Sequence, residues 1–196
     1  MSPSPTADST DTAQPRARVE GQPRGALDWL AVVWSSGLGA GYFPIASGTF
    51  GTLVALPFAW ALAQIDAWWV WAAVVVSFIA ASAALAHRAG KIYGVVDSKY
   101  IVSDEFAGLF VTVGLLPFTW QTAVAGFFVF RFFDILKPWP ASYFDRKVHN
   151  GFGVTFDDVI AGIFARGVLE VFFRLGWLGS WESPDALGFL LDLLPA

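Results

Sequence analysis

Uncharged stretches alternate with short charged ones along the 196 residues of the chain. Positions 67–86 carry no charge, enough for one helix to cross roughly 30 Å of hydrocarbon. Positions 52–65 are also uncharged but span only about 21 Å as a helix. Positions 106–130 form another uncharged run, broken by Gly114 and Pro117. Positions 159–177 are apolar apart from Arg166, Glu170 and Arg174, and 29–51 begins apolar and then turns rich in Gly, Ser and Thr. No internal repeat of fixed period is present. The pattern predicts an all-α integral membrane protein, a compact helical bundle built from short helical hairpins. Pro117 removes a backbone donor mid-run, so 106–116 and 118–130 are read as a shallow hairpin. The rival reading is one tilted span over 106–130.

Composition strengthens the membrane reading. Hydrophobic residues make up 56% and charged residues 14%, against roughly 45–50% and about 25% in soluble domains. Mean hydropathy is +0.56. The net charge of −4, with no Lys/Arg stripe interleaved with aromatics, excludes nucleic acid as a partner. The absence of cysteine removes disulfides, Cys-ligated zinc and thiol nucleophiles. Residues 1–27 are polar and have no apolar signal core, and are read as a disordered tail. The membrane-embedded domain is placed at 28–180, and a second tail at 181–196.

Tryptophans and cations suggest a topology. Trp60, Trp68, Trp69 and Trp71 surround the lone Asp66, Trp120 follows Pro117, and Trp177 closes the last apolar run, as expected of residues at a membrane–water interface. With turns at Asp66 and Pro117 on one side, the Gly-rich stretch 37–51 and the charged stretches 87–105 and 131–158 fall together on the other. Ten of the twelve Lys and Arg residues lie on that second side, which the positive-inside rule makes cytoplasmic.

The charged stretches hold the candidate chemistry. Arg131 and Asp134 share a helical face, Lys137 follows one turn on, and Pro138 and Pro140 stop the helix. A cation–anion–cation series can grip a metal-bound phosphate, through the planar fork of Arg and the point charge of Lys. A salt bridge at a helix end is the plainer alternative. Asp157 and Asp158 precede the last apolar run, where an N-terminal cap is the plain reading, and Asp104–Glu105 repeats the arrangement before Phe106. Ionisable groups at the rim of a membrane bundle are costly unless paired or functional. Asp104, Glu105, Asp134, Asp157 and Asp158 are therefore candidate oxygen ligands, a donor set suited to Mg²⁺. The stretch with Gly48 and Thr49 is read as a flexible polar segment able to offer N–H and hydroxyl groups to phosphate, or as a close helix contact through small residues. His149 is a candidate proton shuttle or a solvated loop residue. Arg166 and Glu170 are read as an i,i+4 pair.

The segments GLGAGYFPIASGTFGTL (37–53), IVSDEFAG (101–108) and FRFFDILKPWPASYFDRKVHNGFGVTFDDVIAG (130–162) resemble the phosphatidylglycerophosphatase A family over roughly residues 28–178. The resemblance implies a small helical protein of the bacterial inner membrane. It also implies Mg²⁺-dependent hydrolysis of the phosphate monoester of phosphatidylglycerophosphate to phosphatidylglycerol and inorganic phosphate. It carries over onto Gly48 and Thr49 as substrate-binding residues, onto Asp104, Glu105, Asp134, Asp157 and Asp158 as metal ligands, and onto Arg131, Asp134, Lys137 and Asp158 as catalytic residues. Arg131 and Lys137 would also bind substrate. Two departures stand out: Ser47 replaces the proline usual before Gly48, and Val154–Thr155 replaces Ile-Met before the acidic pair. The expected partners are the lipid substrate and the bilayer, with the site facing the cytoplasm. The alternative class is a small transporter or a scaffold without activity. A transporter needs polar groups along a path through the bilayer, and the long uncharged runs offer none.

Overall fold

Residues 23–178 of the computed structural model are described, and among them every regular element is helical. In chain order they are α1 (Ala26–Ser35), a 3₁₀ turn (Ala40–Tyr42), α2 (Ser47–Leu62), α3 (Trp68–Tyr93), α4 (Ser103–Val113), α5 (Trp120–Leu136), α6 (Ala141–Lys147) and α7 (Gly151–Arg174). The tails assigned at 1–27 and 181–196 lie outside the described residues except for 23–27, of which Ala26 and Leu27 already belong to α1.

The run 106–130 is divided. α4 stops at Gly114, Leu115 takes a left-handed φ of 57°, and Thr119 opens α5 by accepting a hydrogen bond from the Thr122 N–H. Pro117 sits in this break, as its missing donor requires. Arg166 of α7 donates to the Gly114 carbonyl, one of the acceptors that a helix end leaves without an internal partner. Arg166 also bonds Glu170 at 3.1 Å, as its spacing predicted, and Glu170 holds Arg174 at 3.0 Å.

Other boundaries differ from the sequence reading. α2 starts at Ser47, so Gly48 and Thr49 are helical and not a flexible segment. α3 continues past the uncharged run through His87, Arg88 and Lys91, and ends at Gly94 with φ 73°. The charges on this extension are those that a helix C-terminus favours. Of its 26 residues, about 39 Å in length, few are buried, and α3 is long and apolar enough to cross a membrane. α7 begins at Gly151, where Asn150 caps it by accepting from the N–H groups of Phe152 and Gly153. Asp157 and Asp158 therefore lie in its second turn and are not its cap.

Neighbouring contacts fix the helix directions. Ser47 bonds the Lys99 carbonyl and Gly48 lies against Glu105, while Trp71 at the start of α3 lies against Gly114 at the end of α4. Gly126, early in α5, faces Val113. Thus α2, α4 and α7 run away from one end of the bundle, and α3 and α5 run towards it. α4 is the central helix, buried along almost its whole length by Phe106, Leu109, Phe110 and Val113. At 11 residues, about 16 Å, it is too short to cross a bilayer. Its closest neighbour is α7, because Gly108 and Gly162 face each other: a Cβ on Gly162 would meet the Gly108 carbonyl, and one on Gly108 would meet the Phe130 ring and the Asp158 carbonyl. Small residues permit this approach.

Gly108→Val should lower the thermal midpoint in detergent, at a cost of roughly 1–3 kcal/mol from overpacking. Gly167, where an added Cβ meets nothing within 4 Å, should accept alanine with no loss. A Gly108→Val protein as stable as its parent would contradict the close α4–α7 contact.

Candidate active site

Four elements deliver charged groups to the end of the bundle where α4 begins. Asp104 and Glu105 occupy the first turn of α4, where the positive end of the helix dipole favours anions. Asp157 and Asp158 come from the second turn of α7. Arg131 and Asp134 lie on one face near the end of α5 and pair with each other. Lys137 is the first residue beyond α5, in a left-handed conformation with φ 44°. Pro138 and Pro140 prevent the helix from continuing.

These groups sort into one acidic centre and two ion pairs. Carboxylate oxygens of Asp104, Glu105 and Asp158 all lie within 4.8 Å of one another. Asp134 is paired with Arg131, whose Nη1 is also 3.8 Å from Glu105 Oε1. Asp157 is paired with Lys137, which reaches Asp145 of α6 at 3.0 Å as well. Of the five carboxylates singled out in the sequence, three therefore form the centre, and two stand beside it with their charge balanced.

A cavity of about 120 Å³ opens on the centre. Asp104, Glu105, Asp134, Lys137, Asp157 and Asp158 line it, joined by Ser47, Asp97, Ser98 and Lys99. Arg131 and Thr49 are not among the lining residues. The Arg131 guanidinium instead lies behind Glu105 and Asp134, against the first turn of α2. Gly48 makes this possible, because a side chain there would collide with Glu105 Oε1 and come within 3.1 Å of Arg131 Nη1. The small-residue contact, one of the two readings of the Gly-rich stretch, describes the packing at Gly48.

Asp145, Lys99 and Ser47 were not singled out as site residues. Asp145 and Lys99 lie within the charged stretches, but only the doubled acids and the Arg131–Asp134–Lys137 spacing mark any of those charges as special. The neighbour that makes Asp145 matter is Lys137, reached through a turn between α5 and α6 that no short-range pattern encodes. His149 lines an adjoining cavity with Asp97, Asp145 and Asp157.

Burial sets the electrostatics. It pushes the Asp104 carboxyl well above its ordinary range, and the charge of Glu105 adds to the rise. Glu105 is held up at about 8: burial and the charges of Asp158 and Asp134 raise it, while the hydrogen bond with Asp104 and the charge of Arg131 oppose them. Burial works against the Lys137 ammonium, but the charge and hydrogen bond of Asp157, the charge of Asp158 and the bond to Asp145 outweigh it and hold that ammonium above its usual value. Lys137 therefore stays charged at neutral pH.

The centre fits a hard divalent cation. Its donors are carboxylate oxygens from two helices, close enough to share one ion. The buried Glu105 Oε2 has no hydrogen-bond partner among the described residues. No Cys or His belongs to the group, which argues against a soft metal. A bound cation would relieve the repulsion that raises Asp104 and Glu105.

A family model described as Phosphatidylglycerophosphatase A matches residues 33–173. The chain belongs to that family. The phosphatidylglycerophosphatase A of Escherichia coli strain K12 is 43% identical over 134 residues, covering 68% of this chain and 77% of that protein. The protein of the same name from Haemophilus influenzae is 50% identical over 86 residues, 43% of this chain and 52% of that protein. No solved structure matches the chain. For this family member the matched region runs from α1 nearly to the end of α7, and so contains every group of the acidic centre and both of its ion pairs.

Lys137→Met should leave Asp157 buried beside other acids without its cation, a loss of roughly 3–5 kcal/mol. Thermal unfolding in detergent checks this, and adding Asp157→Asn to Lys137→Met should recover part of the loss. No recovery in the double variant would show that the two side chains do not depend on each other.

Proposed function

We propose that this protein hydrolyses the phosphate monoester of phosphatidylglycerophosphate, giving phosphatidylglycerol and inorganic phosphate, with Mg²⁺ held by Asp104, Glu105 and Asp158. The observation that carries this reading is the convergence of those three carboxylates on one cavity with the Lys137 ammonium beside them. Membership of the phosphatidylglycerophosphatase A family supports the choice of substrate.

Lys137 places a fixed positive charge where the non-bridging phosphoryl oxygens accumulate charge during transfer. It remains in place because Asp157 and Asp145 hold it from two helices. Asp134 lines the cavity outside the three-carboxylate group and takes the proton from the attacking water. The water oxygen bonds to phosphorus as the bond from phosphorus to the glycerol oxygen breaks, and the proton taken by Asp134 passes to the leaving oxygen. Arg131 holds Asp134 and Glu105 in position from behind. Bound Mg²⁺ supplies charge neutralisation on the phosphate and orientation of the water.

The same reading places the protein in the bacterial inner membrane with the site at the cytoplasmic rim. α3 supplies a spanning helix. Trp60, Trp68, Trp69, Trp120 and Trp177 are exposed and cluster in sequence around the helix ends remote from the site, in keeping with an interfacial belt. Lys99, Lys137, Arg146 and Lys147 fall at the site end, in keeping with a cytoplasmic location.

Phosphate release from phosphatidylglycerophosphate in detergent should require Mg²⁺ and stop with a chelator. Asp134→Asn should lower turnover by about 10²-fold or more, and Asp158→Asn should abolish metal-dependent release while leaving the protein in the membrane. Metal-independent release by the parent, or full activity in both variants, would reject this mechanism. Orientation is checked separately. Asp97→Cys and Arg146→Cys should both react with an impermeant thiol reagent from the cytoplasmic side, and labelling from opposite sides would overturn the topology.

A further inference from the structure

A second cavity, of about 390 Å³, runs along the face of α4 formed by Ser103, Phe106 and Phe110. Its size is that of a small-molecule site. Trp34 of α1, Phe58 of α2 and Val74 and Phe78 of α3 wall it, and Leu38, Phe58 and Val74 are exposed at its mouth. The lining is apolar with one exception. Ser103 is the one hydroxyl residue among the lining residues, it is 1% exposed, and its Oγ has no hydrogen-bond partner among the described residues.

That unpartnered donor points to a ligand. A buried hydroxyl without a partner costs roughly 1–3 kcal/mol. Water is a poor remedy in a cavity offering it one polar neighbour, since a buried water needs two to four. An aliphatic chain ending in a hydrogen-bond acceptor satisfies both the apolar walls and the hydroxyl. The position of the donor is equally specific, because Ser103 immediately precedes Asp104 of the acidic centre. The cavity thus begins beside the site and runs along α4 towards the opposite end of the bundle, the direction a lipid tail takes when its headgroup is at the rim.

We infer that this cavity seats one acyl chain of the lipid substrate, with the ester carbonyl accepting a hydrogen bond from Ser103 Oγ. The inference rests on the proposed hydrolysis and adds how the lipid is held. The seated chain sets the depth and direction of the headgroup, and so helps to deliver the terminal phosphate to Lys137 and the acidic centre.

The test compares diacyl phosphatidylglycerophosphate in micelles with its deacylated, water-soluble counterpart. Ala61→Trp and Val74→Trp each fill the cavity from an exposed position. Both should raise KM for the lipid by about tenfold, a change of 1.4 kcal/mol, and leave kcat/KM for the soluble substrate unchanged. Ser103→Ala should erase the preference of the parent for the diester over a dialkyl ether analogue, which has no carbonyl. An unchanged lipid KM in both folded tryptophan variants would overturn the inference and leave the hydrolase reading intact. So would an equal loss on both substrates, or a diester preference that survives in Ser103→Ala. If the parent releases phosphate from neither substrate, the hydrolase reading fails, and the inference fails with it.

Discussion

Carboxylates buried side by side repel one another, and the organisation of this bundle follows from keeping them there. Asp104, Glu105 and Asp158 lie within 4.8 Å of one another at the head of a buried helix, where water screens little of their charge. Two cations offset part of it. Arg131 braces Asp134 and Glu105 from the side of α2, and Lys137 braces Asp157 and Asp145 from the side of α6 and α7. What remains is an excess of negative charge facing a small cavity, which is the electrostatic condition for holding a divalent cation.

That arrangement demands a particular core. α4 is short enough to end within the bundle and is enclosed by its neighbours, so its first turn can present two acids without exposing their backbone. α7 must come close enough to place Asp158 against them, which Gly108 and Gly162 allow by removing both side chains at the crossing. Gly48 does the same for α2, leaving room for Glu105 and Arg131. Three glycines on three helices thus set the spacing of the charged groups.

Gathering most of the charge at one end leaves much of the remaining surface apolar. The bundle carries large exposed hydrophobic residues on α1, α2, α3, α5 and α7, and exposed apolar surface of this kind, when contiguous, marks an interaction or membrane surface. Proposed catalysis at a rim and proposed burial of the remainder in lipid are two consequences of the same segregation. A substrate with a doubly charged phosphate and two hydrocarbon tails is segregated in the same way.

Much of this was readable from the chain. The helical class, the break at Pro117, the Arg131–Asp134 pairing and the Arg166–Glu170 pairing follow from local spacing, because an i,i+3 or i,i+4 relation is geometry within one helix. The doubled acids marked their own importance, since more charge than a cap requires is costly at the rim of an apolar bundle. Helix boundaries were less legible: α3 and α7 extend into charged sequence, where capping by Gly94 and Asn150 outweighs the hydrophobic pattern. The division of five carboxylates into a centre and two ion pairs, the second anchor of Lys137 on Asp145, the withdrawal of Arg131 behind the cavity and the unpartnered Ser103 hydroxyl were decided only by the tertiary structure. Each depends on how separate helices pack together, and among α2, α4, α5 and α7 that packing is set by how closely glycine lets them approach.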